Sequence, residues 1–402
     1  MTAVRAPLAV LGARPGFAEP VPIVRPATSD RVATITAALG EVLASGQVTT
    51  GPRGRELEQR VAEFLGVGHV VAVSSCTLAL ALAIRAAGLA GREVVLPAYT
   101  IAATATAAIW NGCPVRYVDV DAETLTVDLD DLRTKVSDRT GLVIGVHLFG
   151  NPCRVPEMQA IATRAGAAVA FDAAQAFGST LAGRRVGGFG RFEVFSASPS
   201  KHFTMVEGGF VATEDGELAE RIRYGRNYGV TADYHVLFPG LNARLSELHA
   251  AVGLAVLPDV DSFIKHRNGY AELYRSALAP VPGLGFQRIH PDGVSAYNYF
   301  GMTVDAARFG LTHREVARAL AAEGIQTKFY YEAPLHREAA LGGAADASLP
   351  VTDRLAGSMV CLPLHNHMDT AVIERIAVIV RDIHQHARAV REALVRTGES
   401  KH

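Results

Sequence analysis

The stretch His69-Val70-Val71-Ala72-Val73-Ser74-Ser75-Cys76-Thr77 passes from an apolar, β-branched run straight into hydroxyl-bearing residues, and leucines and alanines follow. It reads as a strand over 69–73 feeding a helix over 77–87. The unit then repeats. Strands are predicted over 93–96, 115–118, 142–147 and 168–171, with helices over 102–110, 129–136 and 155–165. Strands and helices alternating at this spacing specify a mostly parallel sheet covered on both faces, an α/β fold.

Outward from this block the pattern changes. Residues 1–30 are Pro-rich and irregular, and read as an arm lying on the body or on a partner subunit. Residues 31–260 form a large domain that opens with helical spacing over 31–43 and a loop at Thr49-Thr50-Gly51-Pro52. A helix through Leu57, Val61 and Leu65 follows, and a further strand over 210–213 precedes helices over 218–224 and 246–257. Residues 261–402 read as a smaller C-terminal α+β domain, entered through a linking helix over 260–276. It carries a strand over 300–304 and helices over 314–323 and 369–383, and its charged tail after Gln385 is expected to fray.

Bulk properties exclude several classes. Of 402 residues, 49% are hydrophobic and 20% charged, which is a globular composition with a sizeable core. The net charge of -1, with basic residues scattered, gives nucleic acid and anionic membranes no footprint. The uncharged run 94–115 contains Pro97, Gly112 and Pro114, so it reads as strand, loop and helix, not a membrane span. Cys76, Cys113, Cys153 and Cys361 are too widely spaced for a zinc or redox pair and read as reduced thiols of a cytoplasmic protein. His365-Asn366-His367 has no third ligand nearby in sequence and reads as a surface turn; no metal is expected. The glycine patterns of dinucleotide and Walker A loops are absent.

The chemistry sits at strand ends, where open parallel sheets bind ligands. Phe171-Asp172-Ala173-Ala174-Gln175 ends a strand in a carboxylate, and Phe195-Ser196-Ala197-Ser198-Pro199-Ser200-Lys201-His202 carries a lysine toward Glu207-Gly208-Gly209. An isolated lysine is ordinarily solvated. Lys201, however, lies among Phe195, Phe203, Met205 and two glycines, an apolar and tightly turned setting. Such a lysine can form a Schiff base with the aldehyde of pyridoxal phosphate, and Asp172 can keep the pyridine nitrogen protonated. Gln175 can donate to the cofactor's phenolic oxygen. Ser75-Cys76-Thr77 opens a helix, and its free amides and hydroxyls suit a phosphate.

In combination and in order, these segments resemble the DegT/DnrJ/EryC1/StrS sugar aminotransferases. Further matching segments are Pro97-Ala98-Tyr99-Thr100, Val118-Asp119-Val120-Asp121, Val146-His147-Leu148-Phe149-Gly150, Gly240-Leu241-Asn242-Ala243-Arg244-Leu245-Ser246-Glu247 and Ala333-Pro334-Leu335-His336. The resemblance covers nearly the whole chain. It implies a fold-type I pyridoxal-phosphate transferase, with a mostly parallel seven-stranded sheet and a smaller α+β C-terminal domain. It implies Lys201 as the Schiff-base lysine, Asp172 as partner of the pyridine nitrogen, Gln175 as the phenolic-oxygen contact, and Ser196 with Cys76 and Thr77 as phosphate ligands. Asn242 is similar to an asparagine that family members reach into the partner's phosphate site, which implies a homodimer with composite active sites. Ile101 departs from the family, which usually places a ring-stacking aromatic there; either Ile101 packs on the ring or Tyr99 partly replaces the aromatic. His202 stands where many members have asparagine.

The resemblance further implies transfer of an amino group from an amino-acid donor, L-glutamate, to a nucleotide-linked keto sugar. Its overall pattern is most similar to the branch that aminates C4 of dTDP-4-keto-6-deoxy-D-glucose in amino-sugar and antibiotic biosynthesis. Tyr330, Tyr331 and His336, with Tyr99, are candidate substrate contacts. C3 amination and amination of a keto-cyclitol of scyllo-inosose type use the same core motifs and stay open. Relatives that act as dehydratases replace the lysine with histidine, but Lys201 is in register. A pyridoxal-phosphate-binding regulator is the non-enzyme alternative, and the joint presence of Lys201, Asp172, Gln175 and Ser196 argues against it.

Overall fold

The computed structural model describes residues 8–344 and 347–396. Seven strands form the main sheet: β1 (His69–Val73), β2 (Glu93–Pro97), β3 (Val115–Val118), β4 (Thr140–Val146), β5 (Ala168–Asp172), β8 (Glu193–Ser196) and β9 (Gly209–Thr213). Between β5 and β8, the two-residue strands β6 (Thr180–Leu181) and β7 (Arg184–Arg185) make a ribbon joined by β11 (Gly293–Val294). A second three-stranded sheet orders β10 (Leu284–Phe286), β12 (Phe300–Val304) and β13 (Met359–Leu362). The main sheet runs β1-β9-β8-β5-β4-β2-β3. Pairs along it are parallel except those made by β9, which runs against both β8 and β1. This is the fold-type I arrangement the sequence led us to expect.

Both faces of the sheet are buried, which explains its near-continuous apolar strands. Successive residues alternate between two cores. Val94, Ile144, Ala170 and Val194 pack with the helices Cys76–Ala86 and Ala102–Ile109 on one side. Val95, Val143, Val169 and Phe171 pack with Leu129–Lys135 and Val155–Arg164 on the other. The uncharged run 94–115 resolves, as expected, into β2, a loop and the helix Ala102–Ile109, and ends at the start of β3. No helix of the described residues is long and apolar enough to cross a membrane.

The N-terminal segment is fastened to the second sheet's layer. Glu323, itself buried, accepts the amides of Ala9 at 2.6 Å and Gly16 at 2.7 Å, and Val21 pairs with Ile325. The helix Val260–Leu278 links the two sheets. From its centre, buried Arg267 donates to the carbonyls of Tyr297 and Leu364 and to the Asn366 side chain.

Two expectations need correction. The turn at 365–367 is not on the surface: His365 is buried, His367 contacts the carbonyl of Pro26 at 3.0 Å, and Asn366 donates to the carbonyl of His202 at 3.3 Å. The tail after Gln385 does not fray at once. It forms the helix Ala387–Arg396, because Val390, Ala393 and Leu394 recur on one face and bury it. Residues 397–402, and the first seven residues of the arm, lie outside the described residues.

Candidate active site

Strand parity delivers the first two site residues. Asp172 lies two residues beyond Ala170, and Ser196 two beyond Val194, so both point to the face covered by the helix Cys76–Ala86. There they border a cavity of about 230 Å³, together with Cys76, Gln175 and Lys201.

One end of the cavity is built for an anion. The Ser75 hydroxyl caps the helix Cys76–Ala86 by accepting from the Leu78 amide at 3.2 Å. The first-turn amides beyond it have no partner within the helix. Gly209 opens β9 against this helix start. A Cβ there would lie 2.6 Å from the Cys76 nitrogen and 2.8 Å from the Phe195 oxygen, so only glycine lets the two backbones pass. Ser196 adds a hydroxyl, 3.2 Å from that of Ser198. Burial, with Asp172 nearby, pushes the Cys76 thiol well up, so it is present as the neutral thiol.

The other end holds the carboxylate. Asp172 is buried; one oxygen accepts from the Thr104 hydroxyl at 2.7 Å and the other from the Ala174 amide at 3.1 Å. Burial raises its pKa, while these two donors and the Lys201 charge oppose the rise. Behind the strand, His147 stacks on Phe171 at 4.9 Å. Buried Glu193 lies 3.1 Å from its Nε2 and accepts from it. The Cys153 amide donates to Nδ1 at 3.0 Å, so the ring is held as the Nε2–H form.

Gln175 is fixed at both ends. Its Oε1 accepts from the Phe149 amide at 2.6 Å, which leaves the NH₂ group to donate to the Tyr331 hydroxyl at 2.9 Å and to face the cavity. Lys201 sits on the loop 197–208 that joins β8 to β9. The Ala197 amide bonds the Gly208 carbonyl at 3.0 Å and the Met205 amide bonds the Ala197 carbonyl at 3.0 Å, closing the loop. His202 and Phe203, both buried, anchor it from below. The Lys201 ammonium lies 5.9 Å from the centre of the Tyr299 ring.

The remaining sequence candidates separate. Ile101 lines the cavity and is 46% exposed. Tyr99 is buried beneath, not on the wall: its hydroxyl donates to the Tyr330 carbonyl at 2.5 Å and its ring meets Tyr331 edge-on. The wall at position 101 is therefore aliphatic. Tyr330 and Tyr331 gather beside Tyr299, whose ring is 4.5 Å from that of Tyr330. His336 is buried 3.2 Å from Asp353 and does not border this cavity. Asn242 is exposed, bridged through its backbone to Asn227, and outside this chain's own cavity. The sequence reading missed Thr104 and Tyr299. For Thr104 the available signal was its position four residues after Thr100 of the strand-end loop; for Tyr299 there was none.

These residues fit pyridoxal phosphate. The donor set at the helix start suits a phosphate, Gly209 keeps that cradle open, and an ammonium and a buried carboxylate share the same cavity.

Comparison with known proteins agrees with this geometry. Residues 29–381 match the DegT/DnrJ/EryC1/StrS aminotransferase family. A UDP-N-acetyl-3-dehydro-alpha-D-glucosamine 3-aminotransferase of Acidithiobacillus ferrooxidans is 34% identical over 86% of this chain and 93% of its own. The dTDP-4-amino-4,6-dideoxy-D-glucose transaminase of Escherichia coli is 30% identical over 82% of this chain and 90% of its own. Among solved structures, DesI in the presence of its TDP-sugar product superposes with a TM-score of 0.89 at 35% identity, covering 96% of this chain and 98% of that one. The cofactor fit, the sheet order and these similarities converge: the chain is a pyridoxal-phosphate-dependent aminotransferase and belongs to the DegT/DnrJ/EryC1/StrS family.

Proposed function

We propose that the protein transfers an amino group from L-glutamate to a nucleotide-linked keto sugar, at C4 of dTDP-4-keto-6-deoxy-D-glucose. The observation that carries the amino-transfer reading is the single cavity at the carboxyl edge of the sheet, where Lys201, Asp172, Gln175 and the start of the helix Cys76–Ala86 meet. The similarity to the Escherichia coli dTDP-4-amino-4,6-dideoxy-D-glucose transaminase supports C4, and the similarity to DesI, solved with its TDP-sugar product, supports a nucleotide-linked sugar as substrate. Similarity to a dTDP-3-amino-3,4,6-trideoxy-alpha-D-glucose transaminase of Streptomyces venezuelae, 34% identical, supports C3 as the second reading.

The bound cofactor supplies an electron sink for the carbon that loses or gains a proton. The chain supplies the rest. Asp172 holds positive charge on the ring nitrogen, and the Gln175 amide orients the ring oxygen. Ser196, Thr77 and the first amides of the helix Cys76–Ala86 hold the phosphate. The Lys201 amine would act as the base and acid that takes up and returns the proton at the reacting carbon. Tyr330 and Tyr331 face the sugar side. Asn242, exposed on one subunit, reaches the phosphate site of a second copy, so the homodimer is the active unit.

The test is amination of dTDP-4-keto-6-deoxy-D-glucose, a 3-keto nucleotide sugar and a keto-cyclitol with L-glutamate, with the new C–N bond located by NMR. Amination at C4 is the expected result; turnover of only the 3-keto sugar or the cyclitol would replace the C4 assignment, and no amino transfer with any acceptor would remove the keto-sugar reading.

A further inference from the structure

The helix Ala102–Ile109 contains two threonines that behave differently. Thr106 does what a helical threonine usually does: its hydroxyl bonds back to the carbonyl four residues earlier, Ala102, at 2.9 Å. Thr104 does not. Fully buried, it sends its proton across to Asp172 Oδ2 at 2.7 Å. With that proton committed, the contact of 3.4 Å between the hydroxyls of Thr100 and Thr104 has Thr100 as donor. A directed chain results, Thr100 to Thr104 to Asp172. The Ala174 amide occupies Oδ1, so each carboxylate oxygen has a donor before any ligand arrives.

We propose that Thr104 is a positioning residue for the cofactor ring: its hydroxyl fixes the orientation of the Asp172 carboxylate and keeps it ionised inside a buried site. The proposal rests on the reading that Asp172 holds the ring nitrogen. Burial works against the ionised form at this position, and the Thr104 hydroxyl opposes it, together with the Ala174 amide and the Lys201 charge. A hydrogen bond to a charged acceptor shifts a carboxylate by about one to two pH units. Its loss weakens the hold on a protonated ring nitrogen. With less positive charge on the ring, the group linking cofactor to Lys201 becomes more basic.

The test compares Thr104→Val, Thr104→Ala, Thr104→Ser and Asp172→Asn. Two quantities are read: the affinity of the cofactor-free protein for pyridoxal phosphate, and the pH midpoint of the bound cofactor's visible absorbance. Circular dichroism checks folding, and the alanine variant serves if valine disturbs packing. Thr104→Val and Thr104→Ala should bind roughly tenfold more weakly and titrate at higher pH. Thr104→Ser, which keeps the hydroxyl, should match the parent in both. Asp172→Asn should exceed the threonine variants in both. Parent-like values for Thr104→Val and Thr104→Ala beside a shifted Asp172→Asn would overturn the role of Thr104 and leave that of Asp172 standing. Equal weakening in the serine and valine variants would also overturn it, because the hydroxyl would then be irrelevant. An unshifted Asp172→Asn would remove the Asp172 reading, and the proposal with it.

Discussion

Acid sensitivity should be written into the residue beside Lys201. His202 is buried, and its Nε2–H donates to the Phe177 carbonyl at 2.7 Å. Burial and the nearby Arg267 guanidinium push its pKa down from 6.5 to about 3, with Lys201 adding a second unfavourable charge. The groups facing it are Arg267 and Lys201, both cationic, and the uncharged Asn298 and Phe177 carbonyl. The folded pKa is depressed for a base, so between about 3 and 6.5 the unfolded chain binds the proton and the folded chain does not. Stability from this group is therefore complete above pH 6.5 and is lost as pH falls toward 3. One proton contributes a slope of about 1.4 kcal/mol per pH unit, or about 2 kcal/mol between pH 6.5 and about pH 5. His202→Asn removes the titration. It also costs packing, but that cost does not depend on pH. Urea unfolding of both proteins across this window should give slopes that differ by this amount, with the parent steeper. Coincident slopes would refute the claim that a neutral imidazole is held there.

Three further outcomes are expected. Lys201→Ala should lose the visible absorbance of bound cofactor and turnover together, read by spectrophotometry and amino-transfer assay. Gly209→Ala forces a Cβ against the Cys76 and Phe195 backbones, which cannot yield like a flexible side chain; overpacking of about 1–3 kcal/mol should appear as about tenfold or weaker affinity for pyridoxal phosphate by equilibrium dialysis. Glu323→Ala strands the part-buried amides of Ala9 and Gly16, at up to about 1 kcal/mol each, and limited proteolysis should then cut within residues 8–20 faster than in the parent.

Much of this architecture was legible because strand parity and strand ends leave local marks. The alternation of β1, β2, β3, β4 and β5 with helices needed no tertiary information, and Asp172 followed from being the last residue of an apolar run. β8 was not read as a strand because Glu193 interrupts its apolar pattern. Tertiary structure resolves this: Glu193 is buried, accepting from the Phe189 amide at 2.8 Å and meeting His147. Tyr99 and His336 looked like site residues from their motifs, but Tyr99 is turned into the core toward the distant Tyr330 carbonyl, and His336 is buried beside Asp353. Thr104 was missed for a related reason, its spacing from Thr100 being the one mark it leaves in the sequence. A threonine inside a helix normally satisfies itself, and only the meeting of that helix with the end of β5 shows that this one does not.

The reversed strand β9 has a consequence for how the reaction is run. Parallel neighbours need a crossover that carries the chain to the opposite edge of the sheet, whereas antiparallel neighbours can be joined by a short loop that stays at one edge. Reversing β9 keeps the loop 197–208 at the carboxyl edge, with Ser196 paired to Gly209 at its base. The Lys201 amine is thus held on a loop tied at both ends to the sheet. In the role proposed for it, it would remain beside the reacting carbon throughout, so its proton transfers would be intramolecular, with no encounter to wait for.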